Sequence, residues 1–590
     1  MLVSLNITLS LMDSINSPFK KKFPQKPQNF DKTKNLLRLT NTKFSPFFPL
    51  LFVFLFSFVL LSAGSFSLPL IDRDEPRFAQ AAREMMERKN FVVPFFNGEF
   101  RLDKPPLIYW LMVLSYKLLG INEFSARLPS ILSCSILAVI LYCIAYRYSP
   151  SVRLIVPISF CFSLQTLLHG RLATADMAMT LFVTTAQWAF LNLLNQKSWF
   201  WFSIFWISLA LGFLAKGPIS WLIPLFTFIL FRFVFWRKQK AIPSLHLIPG
   251  LLLCLSIISL WALPALIETK GLFWKIGIGE HVIRRGMEAF DNRPFIPFYY
   301  FISPFLSLFP SSAFFGLFIE TLRKKWSMEN AFFLSWFLAP IIIFSFYATE
   351  LPHYIMPGFP AYFLVTGQGI NEAKKTKFSL LFALLLLVVF FLFSLFLVSL
   401  YPFYGIILNH PLKNVLLSIG LVILLLCLFG GAMMLYGHNL SSRTAPFLMM
   451  ATNYIALIYV LNFLAKDLRC LSLTVKIAPL FKNMPLASQN CAWGYTEPSL
   501  VFYSNRLWTW DPPLAPVLPP YFSLRLETET SLFKTLPWPL DEKNHPRSTY
   551  KNDSALGTPL PVQASQGEGR IEGLNLGRMS WVKIDFSYHY

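Results

Sequence analysis

Long apolar runs recur along almost the whole of this 590-residue chain. A helix that crosses a hydrocarbon core of roughly 30 Å needs about 20 mainly apolar residues. About thirteen stretches approach that requirement: 47–69, 126–146, 152–170, 177–195, 199–215, 218–236, 245–267, 297–319, 330–348, 353–370, 378–402, 414–437 and 445–465. The runs at 199–215 and 353–370 are short, so the count is open by one or two. The periodicity predicts an all-α polytopic membrane protein.

Composition agrees. Only 14% of residues are charged, against roughly 25% in a soluble domain. A disordered chain, a disulfide-built secreted scaffold and an ordinary cytosolic enzyme are excluded. Seven cysteines are too few for a framework. Five of them lie inside apolar runs, and Cys470 and Cys491 allow one disulfide at most. The formal charge of +22 reads as orientation charge beside anionic lipid, not as a nucleic-acid footprint.

Orientation can be read from where the cations fall. With the N-terminus in the cytoplasm, residues 1–45 form a basic leader predicted to be disordered. The short loops on the same side hold Arg147, Arg153, Lys197, Arg237, Lys238, Lys240, Lys374, Lys375 and Arg443 with almost no acid. That is the positive-inside pattern. The opposite loops, 71–125, 171–176, 268–296 and 349–353, mix both signs densely. An odd number of spans places the C-terminus outside.

The first outer loop, 71–125, is the richest. It opens Asp72-Arg73-Asp74-Glu75-Pro76-Arg77-Phe78. Pro76 suits a first helical turn and Asp74 an N-cap. Phe78, Ala81, Ala82, Met85 and Met86 then repeat at helical spacing, predicting an amphipathic helix lying in the interface plane. Asn90 to Gly98 breaks it. Leu102-Asp103-Lys104-Pro105-Pro106 opens a second interfacial helix, Leu107 to Leu119. Asp74 and Asp103 are either helix caps or chemical groups. Ionisable residues beside a bilayer span default to a functional reading.

These elements resemble the first outer loop of bacterial GT-C glycosyltransferases. The ArnT-like 4-amino-4-deoxy-L-arabinose lipid A transferases and the dolichyl-phosphate-mannose-protein mannosyltransferases are the most similar. Further matches are Gly170-Arg171 to Asp176-Met177, Ala215-Lys216-Gly217-Pro218, Glu280-His281 with Arg284 and Arg285, and Leu351-Pro352-His353-Tyr354-Ile355-Met356-Pro357. The resemblance covers roughly 46–510. It implies a GT-C fold with about 13 transmembrane helices, juxtamembrane helices in the first loop and a small α/β outer domain. The expected division is a transmembrane catalytic domain at 46–466, the α/β domain at 467–512, and a Pro-rich, poorly ordered tail at 513–590.

What the resemblance implies about function is specific. A sugar passes from a polyprenyl-phosphate donor to a glycolipid or protein acceptor on the periplasmic face of a bacterial inner membrane, by inverting single displacement. Asp74 matches the general base, with Glu75 as its neighbouring alternative. Lys104 matches a phosphate-contacting lysine. Arg77 matches an arginine that contacts phosphate or pairs with Asp176. Arg284 or Arg285 matches a second phosphate-binding arginine. Asp103 and His281 resemble a pair that holds a divalent metal (Zn, Mg or Mn), although the arabinose transferases carry glutamate where Asp103 stands, and His281 equally suits a backbone-bonded interfacial histidine. Asp176 is a cap or a site group. His353 and Tyr354 form a site wall or an aromatic anchor, and Lys216 a site residue or a snorkelling lysine. The alternatives are an oligosaccharide ligase or polymerase with a lipid-diphosphate donor, and a transporter, for which the sequence shows no convincing internal repeat.

Overall fold

The computed structural model describes residues 47–236, 245–277, 279, 296, 298–372, 377–399, 401, 410–438, 444–478, 489–511, 521–531, 569–575 and 580–589. His281, Arg284, Arg285 and the leader 1–45 lie outside these residues. The chain divides into two compact units, Met1–Leu51 and Phe52–Tyr590. In the first, 47–51 begin the helix Phe47–Ser62. All other described residues belong to the second.

Helices dominate, as the apolar runs require. Among the described residues seven are long and apolar enough to cross a bilayer unaided: Glu123–Tyr148, Asp176–Asn195, Trp199–Lys216, Leu247–Glu268, Met328–Ser345, Leu412–Leu435 and Leu448–Leu471. Tyr299–Ser307 and Ser311–Lys324, bent by 114° at their junction, make an eighth if they count as one span. Thirteen uninterrupted spans are therefore not observed. The run 152–170 is cut into Ile155–Cys161 and Leu164–His169. The run 353–370 becomes a 3-10 turn, Pro352–Gly358, followed by Phe359–Glu372. Apolar composition reports that a segment is buried or in lipid; it does not report where its hydrogen-bond ladder breaks.

The first loop folds close to expectation. Its helices are Glu75–Glu87 and Leu107–Leu119. Phe78, Ala81, Ala82 and Met85 form one core with Ile108, Tyr109, Met112 and Tyr116. The other face of Glu75–Glu87 departs from the interfacial reading, because Gln80, Arg83 and Glu84 are buried too. Glu84 accepts hydrogen bonds from the backbone N–H groups of Asn97 (2.8 Å) and Gly98 (3.1 Å). Those two residues, both at positive φ, turn a hairpin between β1 (Phe95–Phe96) and β2 (Glu99–Phe100), the Asn-Gly chemistry such a turn demands.

The rest of that face is covered from the C-terminal end of the chain. Arg83 donates to the Phe502 carbonyl and the Asn505 side chain, each at 2.9 Å, and lies over the Phe502 ring. Asn97 and Trp508 exchange two hydrogen bonds. The covering unit is α/β. β3 (Gln489–Trp493) runs parallel to β4 (Thr509–Trp510) and β5 (Tyr521–Ser531), and β7 (Ser580–His589) is antiparallel to both β5 and β6 (Gly569–Asn575). The sheet order is β4-β3-β5-β7-β6. Leu524, Val582 and Ile584 pack against the helices Leu473–Ile477 and Pro498–Ser504 through Leu473, Ile477, Leu500 and Val501.

Two expectations fail here. Residues 513–590 are not wholly a disordered tail, since β5, β6 and β7 supply three of five strands. The alternation of buried Val582 and Ile584 with Lys583 and Asp585 is a half-buried strand pattern that the Pro- and Gly-rich surroundings obscured. The apolar stretch Leu471 to Leu480 suits a strand by its sequence, yet it contains the helix Leu473–Ile477. All seven cysteines are free.

One buried ion pair ties the loop to the bundle. Arg127, in Glu123–Tyr148, is 0% exposed. It donates through Nε and Nη2 to the two oxygens of Glu75 (2.8 and 2.7 Å), and through Nη1 and Nη2 to the carbonyls of Ser65, Leu68 and Pro69. Glu75 also accepts from the backbone N–H groups of Ile71 (2.8 Å) and Ala173 (2.7 Å). All five guanidinium donors and four acceptor positions on the carboxylate are engaged. We predict that Glu75→Gln, by leaving Arg127 buried without its counter-charge, lowers stability by about 3–5 kcal/mol. The thermal midpoint in detergent is the measurement, and Glu75→Gln/Arg127→Met should lose less than the sum of the two single variants.

Candidate active site

A cavity of about 640 Å³ opens beside the first loop. Its polar end gathers Asp74, Asp103, Lys104, Asp176, Lys216 and His353, which come from chain segments up to 279 residues apart. Its other wall is apolar. Leu255, Ile258, Ala262 and Ala265 line it at helical spacing along Leu247–Glu268. Trp261 and Trp110 donate their indole N–H groups to the carbonyls of Val92 (2.9 Å) and Phe91 (2.7 Å), fastening the loop beside that wall.

Asp74 is the N-cap residue of Glu75–Glu87, yet its side chain makes no capping hydrogen bond. It is exposed and lines the cavity. Neighbouring Glu75, 1% exposed, is locked into the Arg127 pair. Helix geometry separates the two carboxylates: one position turns toward the cavity while the next turns into the bundle. Asp103 is not a cap either, because Pro106 holds that position for Leu107–Leu119. It forms an ion pair with Arg101 at 3.0 Å, and Arg101 also donates to the Tyr109 hydroxyl (2.9 Å). Lys104 donates to the Asp103 carbonyl (3.0 Å) and lines the cavity.

Asp176 is the first residue of its helix, with Ala175 as N-cap. Its carboxylate pairs with Lys216 and faces His353 Nε2 at 3.7 Å. Lys216 is 16% exposed in its side chain, so it does not snorkel; its ammonium also lies 5.3 Å from the centre of the Tyr354 ring. Arg77 is half-buried. Burial and the nearby Arg101 charge lower its pKa, opposed by Asp74, Asp103 and Glu497. The Arg77–Asp176 alternative is thus replaced by Lys216–Asp176.

The chain is similar to several known proteins. The family model for dolichyl-phosphate-mannose-protein mannosyltransferase matches residues 103–263. An uncharacterized protein of Aquifex aeolicus is 30% identical over 347 residues, 56% of this chain and 67% of that protein. The undecaprenyl phosphate-alpha-4-amino-4-deoxy-L-arabinose arabinosyl transferase of Pseudomonas paraeruginosa is 27% identical over 349 residues, covering 55% of this chain and 61% of the relative. The crystal structure of ArnT from Cupriavidus metallidurans bound to undecaprenyl phosphate matches with a TM-score of 0.65 at 16% identity, over 81% of this chain and 93% of that one. Its apo form gives 0.62 at 18%, over 81% and 86%.

The chain thus has the fold of ArnT, and its residues 103–263 match the dolichyl-phosphate-mannose-protein mannosyltransferase model. It is a multi-pass membrane protein, and it spans about three fifths of the arabinosyl transferase relative's length. Of the residues singled out from sequence, Asp74, Asp103, Lys104, Asp176, His353 and Tyr354 meet at one cavity. Glu75 does not open onto it, and Arg284, Arg285 and His281 lie outside the described residues. Two residues went unnoticed. Arg127 carries the buried pair, and a cation inside an apolar span was the available signal. His169, at the end of Leu164–His169, stacks on His353 with ring centres 4.6 Å apart.

The contact between the loop and the α/β unit titrates. Asp72, 9% exposed, accepts from the Ser499 N–H (2.8 Å) and hydroxyl (2.6 Å). Burial, and then the Glu497 charge, push its pKa up to about 7 despite those bonds and Arg77. Between pH ~4 and ~7 the folded state therefore holds a proton that the unfolded state has lost, so this residue's contribution to stability falls as pH rises through that window. Asp72→Asn, whose amide can keep both Ser499 contacts, should be more stable than the parent at pH 8 and show a flatter stability–pH profile from 5 to 8. Thermal melts across that range are the check.

Proposed function

We propose that this protein is a glycosyltransferase that takes its sugar from a polyprenyl-phosphate donor and passes it to an acceptor hydroxyl or phosphate of a glycolipid or protein, at the outer face of a bacterial inner membrane. One observation carries the reading. An exposed, uncapped Asp74 and the cation Lys104 line the same cavity, whose far wall is an apolar helix face. A carboxylate that accepts a proton, an ammonium that meets phosphate and a greasy trough are the three parts that a prenyl-linked donor needs. Support for the donor class comes from ArnT of Cupriavidus metallidurans, which binds undecaprenyl phosphate, and from the arabinosyl transferases named for an undecaprenyl phosphate substrate.

In this reading Asp74 accepts the acceptor's proton as its oxygen attacks the anomeric carbon. The bond from that carbon to the phosphate oxygen breaks with inversion. Polyprenyl phosphate departs carrying one more negative charge than the donor bore. Lys104 meets that added charge, and Arg284 or Arg285 is proposed to assist. Such contacts act where charge develops in the transition state. Arg77 places a positive charge near Asp74. Asp176 and Lys216 complete the polar lining, with His353 and Tyr354 beside them. Glu75 holds the loop and takes no part in proton transfer. The positive-inside charge pattern supports the outward orientation.

The test is transfer from radiolabelled polyprenyl-phosphate sugar by purified protein in right-side-out vesicles, with donor and acceptor supplied outside. Asp74→Asn should lower kcat by at least about 10²-fold, and Lys104→Met by about 10²–10³-fold. Wild-type-like transfer by Asp74→Asn would remove it as the base.

A further inference from the structure

The cavity wall contains a second arrangement that sugar transfer does not require. His169, Asp176 and His353 come from three separate elements: the end of Leu164–His169, the start of Asp176–Asn195 and the 3-10 turn Pro352–Gly358. One donor atom from each lies within 4.8 Å of the other two. We propose that these three side chains bind a first-row divalent cation, with Zn²⁺ or Co²⁺ fitting best.

The distances favour an ion over direct contact. His353 Nε2 stands 3.7 Å from Asp176 Oδ1, too far for a hydrogen bond. Two donors bound to one ion at ~2.1 Å in tetrahedral geometry stand about 3.4 Å apart, so this pair needs only a small closure, and His169, within 4.8 Å of both, a larger one. Two imidazoles and one carboxylate form a donor set that suits Zn²⁺ and Co²⁺ better than Mg²⁺ or Ca²⁺. The outer support is also present. His169 Nδ1 lies 2.9 Å from Gln165 Nε2, and Gln165 Oε1 accepts from the Ser307 hydroxyl at 3.4 Å. With the amide rotated by 180°, Oε1 accepts from His169 Nδ1–H, Nε2 donates to the Ser307 oxygen, and the His169 Nε2 lone pair is left for the ion. An outer partner of this kind commonly orients a ligating histidine. Asp176 and His353 line the cavity, so a fourth position faces its interior.

Lys216 gives the site a competitor. Its ammonium bonds the Asp176 oxygen and supplies positive charge where the ion would sit. Ion and ammonium therefore compete for one carboxylate. The site shares no residue with the Asp103–His281 pair.

The proposal stands apart from the donor assignment, because binding is read without turnover. The full chain in nanodiscs is stripped with chelator and titrated with Co²⁺ by absorption spectroscopy and with Zn²⁺ by calorimetry. One equivalent should bind, with the intense visible bands of four-coordinate Co²⁺. His169→Ala and His353→Ala should each weaken binding at least about 100-fold, and Gln165→Ala about 10–100-fold. Lys216→Met should tighten it, and Asp103→Ala should leave it unchanged. Metal-free thermal midpoints confirm that each variant is folded. No stoichiometric binding by the parent protein, full binding by folded His169→Ala/His353→Ala, or loss of binding in folded Asp103→Ala would each overturn the proposal.

Discussion

The Glu75–Arg127 pair is the contact on which the placement of the candidate site depends. It joins the start of the first loop to the Glu123–Tyr148 helix, and through the Ala173 N–H it reaches the turn that launches Asp176–Asn195. Asp74 and Asp176, distant in sequence, are thereby anchored to one carboxylate. Breaking a buried pair costs more than the pair contributes relative to apolar packing, so its value lies in fixing one geometry. Every donor on Arg127 and every acceptor on Glu75 is used, which directs chemistry to the adjacent residue.

A second constraint comes from the chain's far end. The polar face of Glu75–Glu87 would be wasted against lipid. It is instead covered by the hairpin turn at Asn97-Gly98 and by the helix Pro498–Ser504 with the turn after it. Gln80, Arg83 and Glu84 are docking groups, and Asp72 makes that docking sensitive to proton concentration. The α/β unit thus holds from above the helix that the bundle holds from below.

How much of this was legible depends on which property carried the signal. Periodicity delivered the stripe Phe78, Ala81, Ala82 and Met85 and the helix Leu107–Leu119, because both are local. Charge density in the loops pointed to Asp74, Lys104 and Asp176, because an ionisable group at a membrane boundary needs a reason. Breaks within 152–170 and 297–319 were invisible, since Ser163 and Ser307–Ser311 hardly alter hydropathy. His169 was hidden for the same reason. Glu75 and Asp74 look equivalent in a sequence, and only the partner 52 residues away at Arg127 separates them. Strand β7 pairs with β5, with partners 49 to 68 residues apart, a contact that alternation alone does not announce.

The central claim is that Asp74, Lys104 and the Leu247–Glu268 face surround one prenyl-linked headgroup. A cryo-EM or crystal structure of the full chain with bound polyprenyl phosphate tests it most directly. The account predicts phosphate oxygens within hydrogen-bond reach of Lys104 Nζ and the prenyl chain against Leu255, Ile258 and Ala262. Phosphate bound outside the cavity, with Lys104 still on the Asp103 carbonyl, would contradict it.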